Sequence, residues 1–137
     1  MELSFIIIDD SELDCFIARK IIEHTDRSIP IESFQDAQLV LKKIRYNHPV
    51  NAATPNKKTV ILLDVQMPLM NGFEFVEEYE KLDDDVKKHY LVVILSSTRN
   101  SNDIFRILTY PSVHSILEKP FTREKLLDLM MSMRSNS

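Results

Sequence analysis

The chain has 137 residues, 44% of them hydrophobic and 28% charged, which suits one ordinary domain whose core needs no disulfide or structural metal. Its single glycine, Gly72, stands where average usage gives about ten, so neither a dinucleotide-binding G-x-G-x-x-G nor a P-loop G-x-x-x-x-G-K can be written. A formal net charge of −4 without a basic block disfavours nucleic acid, and the single Cys15 excludes an internal disulfide and a Cys-based zinc site. No run of about eighteen apolar residues is present to span a membrane, and the start Met1-Glu2-Leu3-Ser4 lacks the basic residues of a signal peptide. A soluble, cytoplasmic protein is expected.

Five strand-type runs alternate with five helical patterns along the chain. Residues 3–8 are almost wholly apolar and read as a buried strand. Ser11-Glu12-Leu13-Asp14 resembles a capping box, and Leu13, Phe16, Ile17 and Ile21 follow at helical spacing. A second strand is expected over 29–34, then a helix marked by Ala37, Val40, Leu41 and Ile44. Residues 48–58 hold two prolines and two asparagines and read as a loop into the strand Thr59-Val60-Ile61-Leu62-Leu63-Asp64. Phe75, Val76, Tyr79 and Leu82 mark the third helix, and the acidic run Asp83-Asp84-Asp85 is expected as a solvated loop. A fourth strand covers 91–95 and ends at Ser96-Ser97-Thr98, a weaker helix covers about 102–109, and a fifth strand covers 113–117 before Lys119-Pro120. Leu126, Leu129, Met130 and Met133 give the last helix. Alternation of apolar strands with helices predicts a parallel sheet covered on both faces by right-handed crossovers.

In such sheets the binding crevice lies beyond the carboxyl ends of the strands. The first strand ends on Asp9-Asp10, the third on Asp64, the fourth on Ser96 and the fifth on Lys119, with Ser97 as a rival for the serine position. Three carboxylates brought together repel one another, and a divalent cation together with Lys119 would neutralise them. An all-oxygen donor set without His or Cys favours Mg²⁺ over zinc. Carboxylates, a metal, a lysine and a hydroxyl together suit phosphoryl transfer, with one carboxylate as nucleophile. His24, His48, His89 and His114 are scattered without metal spacing. Cys15 reads as an ordinary small residue, and Met130, Met131 and Met133 read as helix packing.

This combination resembles the receiver domain of two-component response regulators, chiefly the single-domain, chemotaxis-type members. The resemblance is carried by Asp9-Asp10, by Asp64-Val65-Gln66-Met67-Pro68-Leu69-Met70-Asn71-Gly72, by Ser96 and by Lys119-Pro120-Phe121, and it spans about residues 3–133. It implies a single receiver domain over 1–137 with no effector domain. The implied fold is a flavodoxin-like, doubly wound, five-stranded parallel sheet of order 2-1-3-4-5 with five helices in a three-layer sandwich, the order coming from the resemblance alone. Asp64 would be the phosphoacceptor, served by a sensor histidine kinase or a histidine phosphotransfer protein. Mg²⁺, with Mn²⁺ as the alternative, would sit on Asp10, Asp64 and the backbone carbonyl of Gln66, with Asp9 acting through water. Ser96 would hydrogen-bond the phosphoryl group and shift on activation, Lys119 would contact a phosphoryl oxygen, and a cis peptide would precede Pro120. Gln66 and Thr98 would tune hydrolysis of the acyl phosphate. Output would be phosphorylation-dependent protein binding or onward phosphorelay, through the face of the fourth helix, fifth strand and fifth helix. No separate small-molecule substrate, nucleic acid or membrane partner is implied.

The chain departs from that pattern at two places. Ile116 stands three residues before the lysine, where relatives usually carry Tyr or Phe, so switching is expected to use other packing changes near Ser96 and the fourth helix. Tyr110-Pro111-Ser112-Val113 replaces a small-residue pair before the fifth strand. Two rivals stand beside this reading. A haloacid-dehalogenase-like phosphatase would want an Asp two residues after its nucleophile, where Gln66 stands, and a nucleophile on an early strand. A degenerate receiver would only bind partners, yet all the chemical positions are filled. Gly72, eight residues beyond Asp64, is expected to take a positive φ or another conformation reserved for glycine.

Overall fold

A computed structural model describes residues 2–47, 57–65, 71–97 and 101–135. Five strands, β1 (Glu2–Ile8), β2 (Ile31–Phe34), β3 (Lys57–Asp64), β4 (Tyr90–Ser96) and β5 (Val113–Glu118), form one sheet of order β2-β1-β3-β4-β5. All the pairings are parallel. Helices α1 (Glu12–Thr25), α2 (Ala37–Asn47), α3 (Gly72–Glu80), α4 (Asp84–Lys87), α5 (Ser101–Leu108) and α6 (Arg123–Ser135) cover its two faces. This is the flavodoxin-like three-layer arrangement.

Alternate residues of each central strand enter opposite cores, as the two-residue period of a strand demands. Ile6, Ile8, Ile61, Leu63, Val92 and Ile94 pack under α2, α3 and Ile107 of α5. Phe5, Ile7, Val60, Leu62, Val93 and Leu95 pack under α1 and α6. Each such side chain, removed from water, contributes roughly 1.5–3 kcal/mol. With both faces covered, β1, β3 and β4 read as continuous apolar runs.

Three expectations need correction. The stripe Leu13, Phe16 and Ile17 does not face the core: these side chains are 66%, 56% and 43% exposed, and α1 buries Cys15, Ala18 and Ile22 instead. Those three also follow helical spacing, and two are small, so the helix can lie close to the bulky Phe5 and Ile7 of the sheet beneath. The run after α3 is not wholly loop, because Asp83 leads into the short α4, which buries Val86 while Asp84 and Asp85 stay solvated; among the described residues the helices therefore number six.

The third correction concerns Gly72, which has no positive φ. It is the first residue of α3, behind a capping box in which Asn71 accepts from the Glu74 N–H and Glu74 accepts from the Asn71 N–H. Its own N–H donates to the Val65 carbonyl at 2.9 Å, drawing the helix start against the end of β3. A β-carbon here would lie 2.9 Å from Val65 Cα, so close approach of two backbones, not backbone twist, requires glycine.

Gly72→Ala is accordingly expected to destabilise the fold by about 1–3 kcal/mol, despite alanine's better helix propensity. Urea denaturation measures it, and a variant as stable as the parent would refute the close-approach account.

Candidate functional site

Backbone hydrogen bonds continue the sheet one residue past its carboxyl edge. The Asp9 N–H donates to the Phe34 carbonyl at 3.1 Å, Val65 N–H to Leu95 at 3.3 Å, and Lys119 N–H to Ser96 at 2.9 Å. Asp9, Asp64 and Ser96 are buried there, while Asp10 is exposed at the rim. The Lys119–Pro120 peptide is cis.

Lys119 ties these ends together. Its Nζ lies 3.2 Å from Asp9 Oδ2, 3.4 Å from Asp64 Oδ2 and 3.4 Å from Asp14 Oδ2. Burial alone would lower the lysine pKa, but Asp64, Asp9 and Asp14 outweigh it and hold the ammonium above its usual value. Asp9 behaves in the opposite sense. Burial lifts its carboxyl from 3.8 to about 6, with Asp64 adding to the rise, against the opposing pull of the Ser11 N–H at 3.0 Å and of Lys119. Cys15, in the second core beneath α1, points its Sγ at the Asp9 carbonyl, and burial followed by Asp9 and Asp14 pushes its thiol up to about 11. It is an unreactive packing residue.

Asp9, Asp10 and Asp64 can each offer a carboxylate oxygen within 4.8 Å of the others. This donor set suits a hard divalent cation such as Mg²⁺, because three oxygens of like charge gather around one point beside the Lys119 ammonium. Ser96 ends β4 opposite Glu118 of β5, so its hydroxyl belongs to the same edge. The site thus gathers Asp9, Asp10, Asp64, Ser96 and Lys119 as the strand ends foretold. Gln66 and Thr98, expected to modulate, lie outside the described residues.

Asp14 was not singled out by the sequence beyond its part in the helix start. The signal was there: it is an acidic residue in the first turn of α1, directly after the strand end that carries Asp9 and Asp10.

Ile116 is half-buried opposite Ile94 and packs toward the core beneath α2 and α3. Aromatic and charged groups nearby tie α5 to α3 instead. Tyr110 donates its phenolic O–H to Glu77 Oε1 at 2.8 Å, and Arg106 donates to the same oxygen at 3.1 Å. The Arg106 guanidinium also lies 4.2 Å from the centre of the Phe73 ring.

Comparison with known proteins agrees with this geometry. The response regulator receiver domain family matches residues 5–131. The fold is similar to a response regulator receiver protein from Dyadobacter fermentans, 31% identical over 95% of this chain and 96% of that one, with a TM-score of 0.80. A two-component response regulator from Cytophaga hutchinsonii is 24% identical, covers 98% of each chain and superposes with a TM-score of 0.80. A chemotaxis protein of Vibrio cholerae, 22% identical over 96% of this chain and 98% of that one, has the same fold with a TM-score of 0.72. A search of curated protein sequences gives no significant match.

The raised carboxyl of Asp9 yields a pH prediction for the metal-free protein. The folded state holds the Asp9 proton up to about 6, against 3.8 for an ordinary Asp, so its stabilising proton is fully bound at low pH and is lost as pH rises through the folded value. Asp9→Asn, with no charge to bury, should therefore be more stable than the parent by roughly 1–2 kcal/mol near pH 7.5 in chelator, the gap closing toward about pH 4. Denaturant titrations at the two pH values measure it; equal gaps at both would contradict the burial account.

Proposed function

The chain belongs to the response regulator receiver domain family, and on that premise we propose that Asp64 is the phosphoacceptor of an Mg²⁺-dependent signalling switch. The observation that carries this reading is the lysine contact: Lys119 Nζ stands 3.4 Å from Asp64 Oδ2, at the edge where Asp9, Asp10 and Ser96 also meet. In the transfer, an Asp64 oxygen attacks phosphorus in line, the new O–P bond forms, and the N–P bond to the donor histidine breaks with the electron pair leaving on its imidazole. Lys119 stays charged throughout and faces the phosphoryl oxygens, while the Ser96 hydroxyl donates a hydrogen bond to one of them. Asp10, Asp64 and the Gln66 carbonyl would hold the cation, with Asp9 through water. Bound there, Mg²⁺ supplies charge neutralisation between the carboxylates and the phosphoryl oxygens.

Phosphorylation replaces one negative charge on Asp64 with roughly two. Because Ile116 has no ring to swing, the change is read through Ser96 and the ties of α5 to α3 at Glu77, Arg106 and Tyr110. The phosphoryl donor is a sensor histidine kinase or histidine phosphotransfer protein. Output is phosphorylation-dependent protein binding, through the face of α5, β5 and α6, or onward phosphorelay in the cytoplasm, with no small-molecule substrate of its own. Among the described residues no helix is long and apolar enough to cross a membrane.

Incubation with acetyl phosphate and Mg²⁺ should add one phosphoryl mass to the protein and none to Asp64→Asn. A gain that survives in the variant would overturn the Asp64 assignment. Lys119→Arg should lower the phosphorylated fraction by about 10-fold or more, because a longer planar cation cannot keep the same contacts to the buried carboxylates. Steady turnover of free phosphate esters would instead favour a phosphatase.

A further inference from the structure

Lys119 shares its ammonium with one carboxylate that the phosphoacceptor reading does not use. Asp14 Oδ2 lies 3.4 Å from Lys119 Nζ, beside the contacts to Asp9 and Asp64. Lys119 donates hydrogen bonds to Asp9 and Asp14, which take two of the three donors of its ammonium, and Asp64 Oδ2 stands beside it at ion-pair distance. A phosphoryl oxygen on Asp64 gains a fuller share of the ammonium only as one of those two hydrogen bonds loosens. The side chains of Asp9 and Asp64 are 3% and 8% exposed, whereas that of Asp14 is 44% exposed, so Asp14 is the partner that water can replace at least cost.

The N-cap backbone N–H of Ser11 goes to Asp9 and not to the carboxylate of Asp14. It is the Asp14 backbone N–H that donates to Ser11 Oγ, at 3.2 Å. Asp14 and Lys119 line a cavity of about 320 Å³ together with Ile17, Pro120 and Phe121, so the carboxylate stands on the α1 side of the lysine. From there it competes with an anion on Asp64 for the same ammonium and adds a negative charge beside it.

We infer that Asp14 is a positioning residue that restrains Lys119 in the unphosphorylated protein and must release it for the phosphoryl group on Asp64 to be engaged. The inference rests on the phosphoacceptor reading. It makes phosphorylation slower than the remaining residues alone would allow and sets a threshold against small anionic phosphodonors.

The test uses the full chain and three variants, Asp14→Asn, Asp14→Glu and Asp64→Asn. Beryllofluoride with Mg²⁺, a non-transferable phosphoryl mimic, is titrated by NMR, and phosphorylation by acetyl phosphate is timed by mass spectrometry. Asp14→Asn is expected to bind beryllofluoride about 2- to 5-fold more tightly and to be phosphorylated faster by a similar factor, the size of a partly exposed ion pair. Asp14→Glu should return both values toward the parent, and added salt should narrow the gap, neither of which a general loosening of α1 would produce. If the parent is phosphorylated but Asp14→Asn matches it, or binds beryllofluoride more weakly, the inference fails alone. If the parent takes up no phosphoryl group at all, the phosphoacceptor reading fails with it.

Discussion

At one end of the sheet, a single ammonium faces three carboxylates, two of which are almost wholly out of water. Burying ionised carboxylates side by side is costly unless opposite charge and donors accompany them. Lys119 meets part of that cost, and the Ser11 N–H meets part at Asp9, yet Asp9 still keeps a raised pKa. Among the described residues the site is therefore short of positive charge. A site of this kind favours whatever brings positive charge or spreads negative charge, which is the basis for both metal binding and phosphoryl chemistry.

That charge shortage depends on strand registry. In the parallel sheet, Ile8 stands opposite Leu63 and Asp64 opposite Leu95, so β1, β3 and β4 run out of apolar residues at nearly the same level. The apolar runs behind that level lock the registry, since a slip of one residue would turn every core side chain toward the wrong face. The site is in this sense the place where two buried cores end together. Gly72 contributes from the side: by letting α3 start against Val65, it returns the chain toward the sheet within a few residues of Asp64.

The far side of the sheet is arranged differently. Ile116 packs into the core with no polar tip, while the groups that join α5 to α3 sit at the surface on Glu77, where Tyr110 and Arg106 meet one oxygen. Exposed ties of this kind are individually weak and are exchanged with water at little cost. Phe105 and Leu108 of the same helix are exposed as well. Ile107 anchors this helix in the core, while its surface ties and exposed apolar side chains leave the outer face open to exchange, which suits a readout element.

Much of this was legible in the amino-acid order. Five strand-type runs separated by helical patterns determined a parallel α/β sheet, the central ones apolar because they are buried on both faces, and the polar residues closing four of the five runs could be read as site residues. Local periodicity could not say which of two competing stripes on α1 would face inward. The sheet chose Cys15, Ala18 and Ile22 over Leu13, Phe16 and Ile17, since the small Cys15 and Ala18 let the helix lie close over the bulky Phe5 and Ile7. Nor could spacing show that Asp14 meets Lys119 across 105 residues, or that Gly72 is needed for close contact instead of a positive φ. Sequence by itself determined the elements and the chemistry they end on, because both follow from the burial of neighbouring residues. Distances between charges, and the clearance between backbones, were decided only when the sheet brought remote segments into one volume.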